Sequence, residues 1–121
     1  MTEPEAELGK IVLDELSSAR EKAAEGSPVF VMHLMNAKDL ARRAGMDVSA
    51  QAAEIERTGY TNNARVCLGL ARERAEAKDS GYGILLRSAR MYAREAGMDI
   101  SREAAEIIAL YQDGRQAGKN A

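Results

Sequence analysis

Arginine is the residue type with the most suggestive spacing in this chain. Arg87, Arg90 and Arg94 follow one another at intervals of three and four, so a helix carries them on one stripe, with Met91 among them. A row of guanidinium groups suits phosphates or the carboxylates of an acidic protein. With two arginines of the preceding predicted helix, the candidate partner or nucleic-acid contacts are Arg65, Arg72, Arg87, Arg90, Met91 and Arg94.

The distribution of charge leaves a second interpretation of these arginines open. Residues 57–102 carry nine basic and five acidic side chains, residues 1–25 carry three and seven, and the whole chain has a net charge of −2. The acidic N-terminal segment therefore has the sign to neutralise the basic one, and pairs such as Arg72 with Glu76 are typical of a solvated helix. Stacking of single-stranded bases requires aromatic side chains among the basic ones, and no aromatic residue falls on the arginine stripe.

His33 is the one histidine, and it occupies the position that Leu85 takes in a second, similar stretch of sequence. It is therefore expected on an inward face, where a histidine can act as a general base or respond to pH. Nucleophilic catalysis also needs a Ser or Cys and a carboxylate nearby, and Cys67 is 34 positions away. We predict a histidine at the core edge, bonded to a carbonyl or water; the alternative is a ligand cleft between the repeats.

Acidic residues do not form a recognisable metal-binding pattern. The Glu-x-x-His pairing of helical carboxylate sites is absent, because Phe30 stands three residues before His33. The repeated acids are predicted to cap helices or to lie on polar faces. We therefore predict no metal, no cofactor and no catalytic residue, and a chain that leans away from being an enzyme; the repeated acids are Asp47, Glu54, Asp99 and Glu106.

The elements that position these residues are repeated. The sequence of 41–49 returns 52 residues later in 93–101, and an ungapped alignment of 16–55 with 68–107 has 18 identities in 40 positions. A repeat of this length indicates one supersecondary unit used twice. With 22 Ala, two Pro and few aromatic residues, the composition favours helix.

We therefore predict an all-α fold: a six-helix domain built by tandem duplication of a three-helix unit, as a helical bundle or short superhelix. A single domain is expected over 1–121, with repeat 1 at about 8–60, repeat 2 at about 61–113 and a disordered tail at 114–121.

Helix boundaries follow from the punctuation of the sequence. Gly45 and Gly97 are predicted to end helices in the left-handed conformation, with Asp or Ser capping the helix that follows. Ser27 is predicted to cap the second helix, and the polar run 58–63 is predicted to be a turn. The helix after that turn has a broad apolar arc, which favours central burial over a homodimer face; the arc comprises Val66, Cys67, Leu68, Leu70 and Ala71.

The helical periodicity also predicts a core. Residues at helical spacing on the inner faces should be mostly buried. The predicted set is Leu16, Ala19, Phe30, Leu34, Leu40, Ile55, Leu68, Ala71, Leu86, Tyr92 and Ile107.

Function is the least determined property. The sequence favours a non-enzymatic helical interaction or scaffold module that binds a protein; the alternatives are a nucleic-acid accessory protein using the arginines and a small-molecule site in an inter-repeat cleft near His33. A homodimer is compatible with the pattern. One cysteine, no apolar run of about 20 residues and an acidic N-terminus predict a cytoplasmic protein without a membrane role.

Overall fold

The computed structural model describes the backbone of residues 3–120 and the side chains of residues 3–113. In that part of the chain the structure is all-α, with five helices and no strand, as the composition predicts. The predicted number of six helices is wrong. The helices are α1 (Glu3–Glu25), α2 (Phe30–Arg43), α3 (Ser49–Glu76), α4 (Tyr82–Ala96) and α5 (Ser101–Asn120).

The difference lies at the predicted turn 58–63, which is helical and joins two predicted helices into α3. Its polar residues serve tertiary contacts instead of a turn. The Asn62 side-chain amide donates a hydrogen bond to the Ala23 carbonyl near the end of α1, at 2.9 Å. Gly59 is buried, and a Cβ on it would lie 2.5 Å from two ring atoms of Phe30. Packing has therefore overridden the turn propensity of these residues.

The chain forms two compact units, and the boundary between them lies within α3, between Asn62 and Asn63. In the first unit, α1 and α2 pack with the first half of α3 around one apolar cluster that includes Val12, Leu34 and Ile55. Phe30 is fully buried there, and its ring meets the Tyr60 ring edge-on, with 5.2 Å between centroids. Such pairs stabilise by about 0.5–1.5 kcal/mol beyond their buried area.

The second unit contains the remainder of α3 with α4 and α5. Its buried residues are smaller, with Ala71, Ala75 and Ala104 in one cluster around Leu86 and Ile107. A further cluster lies around Ala64 and Ala89.

Burial recurs at the spacing of the sequence repeat. Nine residues buried in the first unit have a buried counterpart 52 positions later in the second. The pairs are Val12 and Ala64, Ala19 and Ala71, Ala23 and Ala75, Leu34 and Leu86, Ala37 and Ala89, Ala41 and Ala93, Val48 and Ile100, Ala52 and Ala104, and Ile55 and Ile107.

The predicted helix punctuation is confirmed at both joints. Gly45 and Gly97 have φ angles of +69° and +70°, which a residue with a side chain rarely adopts. The Asp47 carboxylate accepts hydrogen bonds from the backbone N–H and hydroxyl of Ser49, and Asp99 does the same with Ser101. These contacts satisfy donors at the starts of α3 and α5.

Two further expectations from the sequence are wrong, and a third falls on residues whose side chains the structure does not describe. Ser27 is not the cap of α2, which begins at Phe30; its hydroxyl instead accepts a bond from the Val29 N–H. Central burial is wrong for Val66 and Leu70, which are 46% and 42% exposed. The tail predicted at 114–121 lies outside the residues whose side chains the structure describes.

Most of the predicted core is confirmed. Leu40, Leu68 and Tyr92 are half-buried, and the other eight predicted residues are buried. None of the helices in the described residues has an apolar stretch of the length that spanning a bilayer requires.

Candidate functional site

The arginine stripe of the sequence lies on α4, whose inner side is fixed by buried apolar residues. Leu86, Ala89 and Ala93 are buried in the second unit. At the helix start, the Asp79 carboxylate accepts a 2.8 Å hydrogen bond from the Gly81 N–H. These contacts hold the opposite side of the helix in solvent.

That outer side combines apolar and basic residues in one row. Ile84 and Met91 are 71% and 53% exposed, although both are large hydrophobic residues two turns apart. Arg87, Arg90 and Arg94 lie between and after them, are exposed, and make no ion pair with any residue that the structure describes. We call Ile84, Arg87, Arg90, Met91 and Arg94 the α4 face.

The structure thus brings together four of the six predicted contact residues. The other two, Arg65 and Arg72, lie on α3 and are exposed. Arg72 pairs with Glu106 of α5 at 3.4 Å, and not with Glu76 as the sequence suggested. Ile84 is the member that the sequence analysis missed. Its position one turn before Arg87 and two before Met91 was the available signal.

His33 belongs to the first unit and joins α2 to α1. Its Nδ1 lies 2.8 Å from a carboxylate oxygen of Glu15, and both side chains are about three-quarters buried. The predicted carbonyl or water partner is therefore replaced by a carboxylate, 18 residues earlier in the chain. This pair connects α1 and α2. The position that corresponds to His33 in the second unit is Leu85.

The other side chains that could react or bind a metal do not form a reactive site. Burial raises the pKa of the Cys67 thiol, which keeps it protonated and a weak nucleophile at neutral pH. Hydrogen bonds from the Ser49 hydroxyl and N–H hold the pKa of the Asp47 carboxyl below its ordinary value, and Ser101 does the same for Asp99. Within residues 3–113, no three His, Cys, Asp or Glu side chains lie close enough to hold a metal ion.

The surface of the first unit includes two larger grooves. One, of 170 Å³, lies over Phe30 and Tyr60, and the Lys38–Glu56 ion pair forms part of its lining. The other, of 230 Å³, lies beside the joint between α2 and α3. His33 lines neither groove. The second groove contains the Ser49 hydroxyl and the Asp47 carboxylate, whose hydrogen bond belongs to the start of α3.

Comparison with protein-family models, curated proteins and solved structures finds no match to this chain.

Proposed function

We propose that the chain is a non-enzymatic interaction module that binds a protein partner through the α4 face. The observation that carries this proposal is the coexistence of exposed Ile84 and Met91 with three arginines that have no ion-pair partner among the described residues. Protein interfaces are enriched in Met and Arg at their contact centres. A solvated helix face has no need for two large apolar side chains in one row.

The chemistry of the face defines the kind of partner. Ile84 and Met91 lie seven residues apart, the spacing of apolar anchors in helix recognition. Arg87 lies between them, and Arg90 and Arg94 flank Met91. We therefore propose an acidic partner segment that presents apolar side chains at helical spacing and carboxylates around them.

Divergence between the two halves supports assigning the function to α4. We propose that the chain is a tandem duplication, in which the second helix of each copy has separated in role. Met32 of α2 and Ile84 of α4 are equivalent and both exposed, but Met35 is replaced by Arg87. At this position only the second copy is basic, whereas Arg90 and Arg94 have basic counterparts on α2.

A matched pair of variants tests the proposal. Arg94→Glu reverses a charge on the α4 face, and Arg42→Glu makes the same change at the equivalent, also exposed, position of α2. Tagged forms of both variants and the parent protein are used for affinity capture from a lysate of the source organism, with nuclease added to half of each sample. We expect one set of proteins that survives nuclease, is retained by Arg42→Glu and is lost with Arg94→Glu. Equal capture by both variants would contradict the proposal.

Nucleic-acid binding is the second candidate, favoured by the same three arginines, which have no ion-pair partner in the part of the chain that the structure describes. Its mark is an affinity that falls steeply with salt, because bound phosphates release counterions. Fluorescence anisotropy with labelled duplex DNA and single-stranded RNA at two salt concentrations measures this directly. Salt-sensitive binding that Arg94→Glu abolishes and Arg42→Glu preserves would put this candidate first.

The remaining sequence hypotheses stay predictions. Small-molecule binding near His33 has no cavity at His33 to support it among the grooves described above. The cytoplasm is the compartment we propose, because a single cysteine suits a reducing environment.

A further inference from the structure

We propose that a second face, on α3, associates with the same face of another copy of this chain in an antiparallel arrangement. This inference does not depend on the α4 face. It rests on Arg65, Val66, Gly69, Leu70 and Glu73, which we call the α3 face and which are all exposed.

The α3 face is apolar at its centre. Val66 and Leu70 are 46% and 42% exposed, on the side of the helix away from the buried Ala71 and Ala75. They lie one turn apart, with Gly69 between them. A Cβ on Gly69 would meet no atom within 4 Å, so no contact within the chain requires glycine here. Glycine in a helix interior costs about 1 kcal/mol relative to alanine, and a close approach of another helix offsets that loss.

Charge identifies the occupant as a second copy. Arg65 lies four residues before Gly69 and Glu73 four residues after it. When two such helices run antiparallel and cross at Gly69, each Arg65 comes opposite the Glu73 of the other copy. A parallel arrangement would instead place like charges opposite each other, which is unfavourable. The face is thus self-complementary in one orientation, as a two-fold interface requires.

Both charged groups are available for this pairing. Neither Arg65 nor Glu73 makes an ion pair with any residue of the described chain, so none is broken when two copies associate. The face is short, and we expect a weak dimer with a dissociation constant on the order of micromolar or above, as is typical of small interfaces.

Charge reversal provides the test, by sedimentation of the full chain over a range of concentrations. Arg65→Glu places four acidic groups at the crossing, and Glu73→Arg places four basic ones. We expect each single variant to raise the dimer dissociation constant about tenfold or more. The double variant restores opposite charges, and so does an equimolar mixture of the two single variants. Both should dimerise as the parent does.

Controls separate this effect from net charge and from folding. Arg90→Glu and Glu95→Arg make the same charge changes on exposed positions of α4 and should leave the dimer unchanged. Circular dichroism confirms that each variant is folded. A parent chain that stays monomeric to about millimolar concentration, single variants that behave like their controls, or a mixture that stays monomeric would each overturn the inference.

Cross-linking gives an independent readout of the point at which the two helices cross. In a Cys67→Ser background, Gly69→Cys places two thiols at the crossing, where mild oxidation should yield a covalent dimer. A disulfide needs Cα atoms within roughly 7 Å, so random encounter forms it poorly. Gly83→Cys is the matched control, because Gly83 is also exposed and helical with open space around it. Equal cross-linking at both positions would contradict a defined interface. Because the α4 variants serve here as controls, failure of this inference and failure of the proposed function are distinguishable.

Discussion

Gly59 offers the sharpest test of the packing, because its glycine is explained by a close approach and not by a turn. Alanine is ordinarily favoured over glycine inside a helix by about 1 kcal/mol. At Gly59, however, the added Cβ would lie 2.5 Å from two atoms of the Phe30 ring and 2.7 Å from a third. Phe30 is fully buried and its ring also contacts Tyr60, so it has little room to retreat.

The magnitude follows from these opposing effects. Overpacking a core by one methyl group costs about 1–3 kcal/mol, and contact with a confined aromatic ring belongs at the upper end. After the gain in helix propensity, Gly59→Ala should lower the free energy of unfolding by about 2 kcal/mol. Urea denaturation followed by circular dichroism measures this as a midpoint lower by about 1 M.

Gly69→Ala is the matched control within the same helix, because its Cβ meets nothing within 4 Å. It should raise the free energy of unfolding by about 0.5–1 kcal/mol. Measurement at two protein concentrations separates this effect from self-association. If Gly59→Ala stabilises as much as Gly69→Ala does, the close packing of Phe30 on α3 is wrong.

Three further predictions concern single positions. Asn63 is 2% exposed, and neither polar atom of its side chain has a hydrogen-bond partner among the described residues. Asn63→Leu should therefore raise the free energy of unfolding by about 1–2 kcal/mol, measured by thermal denaturation. A lower free energy of unfolding would contradict an unpaired side chain at this position. Gly97→Ala should lower it by about 1 kcal/mol despite open space, because φ is +70°, and an effect like that of Gly69→Ala would refute this. Ser101→Ala should raise the pKa of the Asp99 carboxyl towards its ordinary value, followed by NMR titration. Because the folded-state pKa of Asp99 is lowered, its stabilisation is present above the unfolded pKa of about 3.8 and is lost as the pH falls through the folded value; an unchanged pKa in the variant would contradict the assigned cause.

The inner faces of the helices were predictable because burial follows helical spacing. Leu16 and Ala19, for example, lie three residues apart on α1 and are both buried. The joints were predictable for a different reason: Gly45 and Gly97 need a positive φ, which is a local property of the chain.

The continuity of α3 was not predictable from local preference. Gly59 and Asn62 are turn formers in isolation, and only contacts with Phe30 and Ala23 explain why each is helical. The same applies to His33, whose partner Glu15 lies on another helix. Long-range pairings of this kind leave no mark at fixed sequence spacing.

The candidate site was only partly predictable. Spacing placed Arg87, Arg90 and Arg94 on one stripe, but exposure of Ile84 required knowledge of which side of α4 is buried. The absence of ion pairs between these arginines and other side chains of residues 3–113 likewise depends on the packed structure.

The most direct test of the proposed function changes the apolar component of the α4 face and leaves its charge intact. Ile84→Ser removes an exposed apolar side chain from this face, and Met32→Ser removes one from the equivalent exposed position of α2. Quantitative affinity capture after nuclease treatment compares the proteins that each variant retains. We expect Ile84→Ser to lower the amount of captured partner about tenfold or more and Met32→Ser to leave it unchanged. Equal retention by the two variants would show that the α4 face is not the binding surface.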